Sequence, residues 1–320
     1  MENLNNISDI IRKSDNILIL PHIMPDGDTL GSSIALYLAL LESGKNPRIL
    51  LDEEIPHNLR FFIPQSYVNM DLHYSFRPDL AISVDCSDIE RLGNRKSYFL
   101  GATNNINIDH HNTNTNFAQI NYVNYKAAAA GEIIYSILKN MDMCITPEIA
   151  TALYVAISTD TGSFKYDNTT PYTHTIAAEL LQYGIHLNQV TTELYQSKPI
   201  YKVKLMIEAL NSLEFHYSGK LGIISVTTRM MQKVGAKLTD ADGLIEIVRD
   251  VEGIEVGVLL KEVTEGEIKA GFRAKHDIDV SAIAGQFGGG GHKKASGCTI
   301  LGDIDSAKNK IIKSMNSSFR

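Results

Sequence analysis

The 320-residue chain is 44% hydrophobic, enough for about two domains of roughly 150 residues, each with its own core. Its net charge of −7 argues against a binder of long duplex nucleic acid, which needs a broad basic surface. Three cysteines without paired spacing argue against a disulfide scaffold, and no segment approaches the ~18 apolar residues of a membrane span. We therefore expect a soluble, cytoplasmic protein without a membrane partner.

Charge is unevenly distributed along the chain. Residues 1–188 carry 12 Lys and Arg against 21 Asp and Glu, a net −9, whereas the remainder carries 18 against 16, a net +2. We place a domain boundary near residue 188, which predicts domains 1–188, including the start of a linker, and 189–320. Any anion-binding face must then be local rather than spread over the surface.

In chain order, the first predicted elements form a strand, a loop and a helix. The apolar run 17–20 stops at Pro21, and helical spacing over 30–41 ends at Gly44. Further buried strands are predicted at 48–51 and 80–84, and alternating polar and apolar residues predict a strand at 105–109. Histidines and aspartates follow three of these strands, where loops of an open α/β sheet converge: His22, Asp26, Asp28, Asp85, His110 and His111.

Helices are predicted at 127–139, 147–157 and 171–183, with Asp160 in a loop after the second. The segment 188–200 is expected to connect to a second lobe, with helices at 202–213 and 241–249 and strands at 221–227 and 254–263. Both lobes are therefore predicted to be α/β. The first is expected to have a mainly parallel sheet flanked by helices, and the second is expected to be smaller.

The segment His22 to Asp28 combines one histidine with two aspartates. In an extended loop Asp26 and Asp28 would diverge by one pleat and reach two different cations, with His22 sharing a cation with Asp26. An ordinary acidic turn is the alternative, since Pro25-Asp26-Gly27-Asp28 is good turn chemistry. The segment follows a predicted buried strand, and this position favours a metal site over an ordinary turn.

Five further residues complete the candidate site. Asp85 could bridge two metals through its two oxygens, or simply cap a helix. Adjacent histidines point to different sides, so we assign His110 to a metal and His111 to a substrate phosphate, with Asp109 orienting an imidazole; surface histidines in a polar loop are the alternative. Asp160 is a further ligand or merely a helix-ending acid.

Together these residues predict two divalent cations. Paired cations are suited to attacking phosphate esters, because they activate water and stabilise both the entering and the leaving oxygen. Carboxylate oxygens with two histidines suit manganese better than a thiolate-preferring metal.

The second lobe offers anion-binding candidates. In the stretch 288–297, small residues could expose backbone N–H groups to a phosphate, although no Walker spacing is present. Arg273, at the end of a predicted strand, is a candidate phosphate clamp. A flexible linker and a solvated surface arginine are the alternatives. The predicted substrate-binding residues here are Arg273, Gly289, Gly290, Gly291 and His292.

Four segments resemble the N-terminal motifs of the DHH phosphoesterase superfamily: 22–28, 84–88, 109–111 and 158–162. The glycine-rich stretch with His292 resembles its C-terminal DHHA1 domain. The resemblance implies an active site in the cleft between the domains, where His111, Arg273 and His292 contact substrate. It also implies two Mn²⁺ ions, one held by His22, Asp26 and Asp85, and the other by Asp28, Asp85, His110 and Asp160.

The two-domain size is similar to that of the superfamily's oligoribonucleases, which degrade very short oligonucleotides and dephosphorylate 3′-phosphoadenosine 5′-phosphate. There is no room for the OB domain of the longer exonucleases, and the Ser-Arg-Lys-Lys-Gln signature of family II pyrophosphatases is absent. A soluble phosphodiesterase for cyclic di-AMP or linear dinucleotides stays open, as do a homodimer and a regulator that binds nucleotides without turnover. The full ligand set disfavours the regulator.

Overall fold

The computed structural model describes residues 4–69 and 76–319 and divides the chain into two compact units, Met1–Ser197 and Lys198–Arg320. Both are α/β, which confirms the predicted fold class. Within the described residues no helix is long and apolar enough to cross a membrane.

Unit 1 contains a six-stranded sheet in the order β3-β2-β1-β4-β5-β6, and every neighbouring pair is parallel. Its strands are β1 (Asn16–Pro21), β2 (Asn46–Leu50), β3 (Val68–Asn69), β4 (Leu80–Val84), β5 (Asn104–Asp109) and β6 (Ile120–Val123). Its helices are α1 (Leu4–Lys13), α2 (Gly27–Glu42), α3 (Lys96–Leu100), α4 (Ala130–Asn140), α5 (Pro147–Asp160), α6 (Pro171–Gln182) and α7 (Leu187–Thr191).

The central strands are covered on both faces, as their continuous apolar sequences predict. In β1, Ile17 and Ile19 pack into the core beneath α1, α2, α4 and α5, whereas Leu18 and Leu20 pack into a smaller core that includes Phe99 of α3. A Cβ on Gly31 of α2 would lie 2.4 Å from the carbonyl oxygen of Ala152 in α5. Glycine at this position therefore permits the close approach of the two helices.

The strand order reverses direction at β1 and β4, since β2 and β3 extend the sheet to one side of β1 and β4 to β6 extend it to the other. Open α/β sheets bind ligands at such a switch point, outside the carboxyl ends of the strands. In unit 1 these ends are followed by His22 and Asp85.

Unit 2 contains a second six-stranded sheet, β11-β12-β10-β9-β8-β7, which is antiparallel except for the pair β8 and β9. Its strands are β7 (Glu214–His216), β8 (Leu221–Val226), β9 (Val256–Thr264), β10 (Glu267–Ala274), β11 (Gly290–His292) and β12 (Ala295–Leu301). Its helices are α8 (Ile200–Leu210), α9 (Thr228–Val234), α10 (Leu244–Arg249), α11 (Val280–Gly285) and α12 (Ile304–Ser314), and separate apolar clusters cover the two faces of the sheet.

Several element predictions need correction. Helix α2 begins at Gly27, so Asp28 lies in its first turn, and Asp26 is the N-cap rather than part of an extended loop. Helix α5 continues through Asp160, which was predicted in a loop. The segment predicted as a plain connection contains α7 and a π-helical turn, Thr192–Gln196.

Candidate metal centre

Six of the predicted ligands lie together at the carboxyl edge of the sheet of unit 1. Side-chain atoms of His22, Asp26 and Asp85 lie within 4.8 Å of one another, and so do those of Asp28, His110 and Asp160. The elements that position them are the end of β1, the first turn of α2, the ends of β4 and β5, and the last residue of α5.

Asp85 lies between the two groups. Its Oδ2 is 3.5 Å from Nε2 of His22, and its Oδ1 is 3.4 Å from Nε2 of His110. The side chain is 3% exposed, and Oδ1 has no hydrogen-bond partner among the described residues. Its backbone is in the left-handed region (φ 59°), which costs a non-glycine residue about 1–3 kcal/mol. One carboxylate thus faces two imidazoles with two different oxygens.

The first group is organised around the start of α2. Oδ1 of Asp26 accepts hydrogen bonds from the backbone N–H groups of Asp28 and Thr29, as an N-cap does. Its Oδ2 remains directed toward Nε2 of His22, 3.7 Å away. Although burial opposes a charged imidazole, the contacts with Asp26 and Asp85 outweigh it and raise the pKa of His22 to about 10.

The second group is organised around the start of α4. Asp28 is buried, and it accepts hydrogen bonds from the backbone N–H groups of Ala130 (2.6 Å) and Gly131 (2.9 Å). Its Oδ2 is also 3.7 Å from Nε2 of His110. Burial, together with the charges of Asp85 and Asp160, raises the pKa of Asp28 above its usual value.

His110 contacts three carboxylates through one ring nitrogen. Nε2 is 3.4 Å from Asp85, 3.7 Å from Asp28 and 3.6 Å from Oδ2 of Asp160. Burial opposes its protonation, but the carboxylates raise the pKa of His110 to about 11. Burial also raises the pKa of Asp160 to about 7.

His111 is held differently from His110. Its Nδ1 is 2.7 Å from Oδ1 of the fully buried Asp109, whose other oxygen accepts from Asn114. The side chain is 33% exposed. Burial opposes its protonation, yet the hydrogen bond to Asp109 raises the pKa of His111. The geometry therefore fixes the ring and leaves Nε2 free to face a ligand.

The donor set fits divalent cations. A cation about 2.1 Å from each ligand atom requires those atoms to lie within about 4.2 Å of one another, and the distances above range from 3.4 to 3.7 Å. The unpartnered Oδ1 of Asp85 is a buried acceptor that a cation would satisfy. The ligand atoms are carboxylate oxygens and imidazole nitrogens, a mixed set that suits a divalent transition-metal cation rather than a thiolate-preferring metal.

Residue spacing did not identify two positioning residues. An Nη of Arg91 lies 2.9 Å from Nδ1 of His22, and Asn114 holds Asp109. Arg91 and His22 are 69 positions apart, so only the fold brings them together, whereas Asn114 lies five residues after Asp109 in the loop that follows β5. The sequence carries no periodic signal for such contacts.

The substrate-binding residues predicted for unit 2 lie in β10 and in or directly before β11. Arg273 lies inside β10, one residue before its end, and its Nε donates to Oε1 of Glu246 at 3.0 Å. Gly290 to His292 form the short, exposed edge strand β11 instead of an irregular loop. A Cβ on Gly289 would lie 2.2 Å from the carbonyl oxygen of Gly297, so this glycine is needed for packing against β12.

Comparison with known proteins gives matches over most of the chain. A family model described as "DHH family, N-terminal domain" matches residues 16–157, and "DHHA1 domain" matches residues 224–320. The protein "Bifunctional oligoribonuclease and PAP phosphatase NrnA" of Thermus thermophilus is 33% identical over 98% of this chain and 94% of its own length. The protein of the same name from Bacillus subtilis is 27% identical over 89% of this chain and 90% of its own length.

A solved structure shares the fold. The exopolyphosphatase-related protein from Bacteroides fragilis superposes with a TM-score of 0.91 at 23% identity, covering 99% of this chain and 96% of its own. At this identity the likeness supports the fold alone.

Proposed function

Because this chain belongs to the DHH family and carries a DHHA1 domain, we propose that it hydrolyses phosphoester bonds in short oligonucleotides and in 3′-phosphoadenosine 5′-phosphate. Two relatives are named as bifunctional oligoribonuclease and PAP phosphatase, and these two activities support both substrates of the proposal. The observation that carries the proposal is the position of Asp85 between two groups that could each hold a cation. The matches to the two family models confirm the predicted resemblance to the DHH superfamily.

The proposal includes two Mn²⁺ ions per site, one held by His22, Asp26 and Asp85, and the other by Asp28, Asp85, His110 and Asp160. When bound, such ions supply Lewis-acid activation of water and of the phosphate. The chain's own residues do the rest: Asp85 and Asp28 hold fixed negative charge in a buried site, and Asp109 fixes the ring of His111.

We assign His111 to the phosphate of the substrate. Its Nδ1 donates to Asp109, and this contact raises the pKa of His111, which favours the protonated ring. In that form Nε2–H also donates, and it would face a phosphoryl oxygen whose negative charge grows during reaction. In unit 2 we propose that Arg273, Gly289, Gly290, Gly291 and His292 bind the substrate. For Arg273, exchanging Glu246 for a phosphate would keep its charge paired.

The test is a substrate panel with purified protein and Mn²⁺, Mg²⁺ or Zn²⁺. RNA of two to five nucleotides, 3′-phosphoadenosine 5′-phosphate, cyclic di-AMP and pyrophosphate are compared by chromatography, with bound metal measured by mass spectrometry. We expect turnover of the first two with Mn²⁺. Turnover of cyclic di-AMP or pyrophosphate alone would overturn the substrate assignment, and binding without turnover would overturn the enzyme assignment.

Asp85→Asn tests the bridging position. We expect it to lose both bound metal and turnover, because each group loses one shared ligand. Asp142→Asn is the matched control, since Asp142 is exposed and its left-handed backbone (φ 54°) suits asparagine. An Asp85→Asn protein that keeps two ions and normal turnover would refute the assignment.

A further inference from the structure

A cavity of about 250 Å³ lies beyond the carboxyl end of β6, at the same edge of the sheet as the metal centre. It is lined by residues from the end of β6, from the segment between β6 and α4, from the first half of α4 and from the start of α6. None of its lining residues is a predicted metal ligand. The residues that line it include Tyr122, Asn124, Lys126, Glu132, Ser136 and Tyr172.

Glu132 gives this cavity a buried acceptor. The residue is 3% exposed, and its Oε2 accepts a hydrogen bond from the backbone N–H of Ala128 at 3.1 Å. Its Oε1 is buried and has no hydrogen-bond partner anywhere in residues 4–69 and 76–319. An unpaired buried carboxylate oxygen is costly, so a ligand that donates an N–H there would be strongly favoured.

Two tyrosines supply flat apolar surface. Tyr172 at the start of α6 is 52% exposed, and its hydroxyl lies 3.3 Å from Oγ of Ser136. Tyr122 of β6 is half-buried and lines the same cavity as Tyr172. Planar rings of this kind stack on nucleobases with little regard to sequence.

The cavity wall also supports the metal centre. The carbonyl oxygen of Ala127 lies 3.2 Å from Nδ1 of His110, and the N–H of Ala130 donates to Asp28. Ala127 also lines the cavity, and Ala130 lies two residues before the lining residue Glu132. A group bound in the cavity is therefore separated from the metal centre by a single backbone segment.

We propose that this cavity binds one nucleobase of the substrate and selects bases that carry an amino group, namely adenine, guanine or cytosine. The amino group donates to Oε1 of Glu132, and the base lies against Tyr122 and Tyr172. A phosphate would leave Oε1 of Glu132 without a donor, although Lys126 also lines the cavity, and an aliphatic amine would leave the aromatic surface unused. The volume is close to the lower end for ligand pockets, about 300 Å³, which suits one base.

This inference rests on the proposed function but can be tested apart from it. Nucleosides lack phosphate, so their binding to metal-free protein reports on the cavity alone, by saturation-transfer NMR and calorimetry. We expect adenosine and cytidine to bind about tenfold more tightly than inosine and uridine, the effect of one charge-assisted hydrogen bond.

Two variants and one control sharpen the binding test. Glu132→Gln keeps an oxygen for the N–H of Ala128 but replaces Oε1 with an amide NH₂, so the preference for amino-bearing bases should vanish or reverse. Tyr172→Ala should weaken every nucleoside by a similar factor. Tyr125→Ala removes a comparably exposed tyrosine that does not line the cavity and should change nothing.

The kinetic test compares diadenylate with the same dinucleotide built from purine riboside, which lacks the amino group. We expect kcat/KM to differ about tenfold in the wild type and by less than twofold in Glu132→Gln. A Glu132→Gln protein that keeps the preference, or a wild type that binds no nucleoside, would overturn the cavity assignment even if RNA is cleaved. Selective nucleoside binding without cleavage would support the cavity and overturn the proposed function.

Discussion

Loading the metal centre should release protons. In the metal-free protein the pKa of His22 is raised to about 10 and that of His110 to about 11, so both imidazoles are protonated at pH 8. A ring nitrogen must lose its proton before it can bind a cation. Metal binding and protonation therefore compete for the same two nitrogens.

The number of protonated ligands sets how many protons are released. At pH 8 at least about two protons should be released when both groups are filled, one from each histidine. At pH 6 Asp160 should contribute most of another, because its pKa is about 7. Two protons per pair of ions make the combined association constant rise about 100-fold per pH unit around pH 8. Metal affinity should thus strengthen as pH rises.

Calorimetry of Mn²⁺ binding in buffers of different ionisation enthalpy counts these protons. His22→Ala should lower the number by about one, whereas His174→Ala should leave it unchanged, because His174 stacks on Phe164 outside the cluster. Release of about one proton or fewer at pH 8 would refute the reasoning, since at least one of the two histidines would then not lose a proton to metal binding.

Three further variants separate structure from chemistry. Asp109→Asn should lower kcat about 10- to 100-fold while metal content stays constant, because the ring of His111 loses its anchor; lost metal would contradict this role. Arg273→Ala should raise KM about tenfold or more with metal content unchanged, and a drop in bound Mn²⁺ would argue against a substrate contact. Gly31→Ala should lower the free energy of unfolding by about 1–3 kcal/mol in urea titrations, since the added Cβ meets α5; an unchanged midpoint would show that the helices adjust.

The sequence predicted the buried strands of unit 1 best. Strands β1 and β4 are continuous apolar runs, and burial on both faces leaves few other ways to fold them. It did not predict the edge strand β6, whose residues Ile120–Val123 are only half-buried and lack an apolar run. Partial burial weakens the sequence pattern because fewer positions must be apolar.

Errors at the site arose at helix ends. The order Asp26-Gly27-Asp28 is predicted to lie in an extended loop, although an aspartate before a long apolar helix is also an N-cap signal. The pairing of Arg273 with Glu246 joins residues 27 positions apart on β10 and α10, and no spacing rule indicates it. Contacts of this kind depend on how elements pack, and single-sequence patterns do not contain that information.

Asp85 combines three unfavourable features that make sense only with a ligand. It has left-handed backbone without being glycine, it is buried, and its Oδ1 has no hydrogen-bond partner among the described residues. Burial opposes its ionisation, and the contacts with His110 and His22 hold the pKa of Asp85 below its usual range. A glycine would relieve the backbone strain, and an apolar residue would avoid the unpaired oxygen. The chain retains a carboxylate here, where its two oxygens face two imidazoles, and the pair of cations that we propose would account for all three costs together.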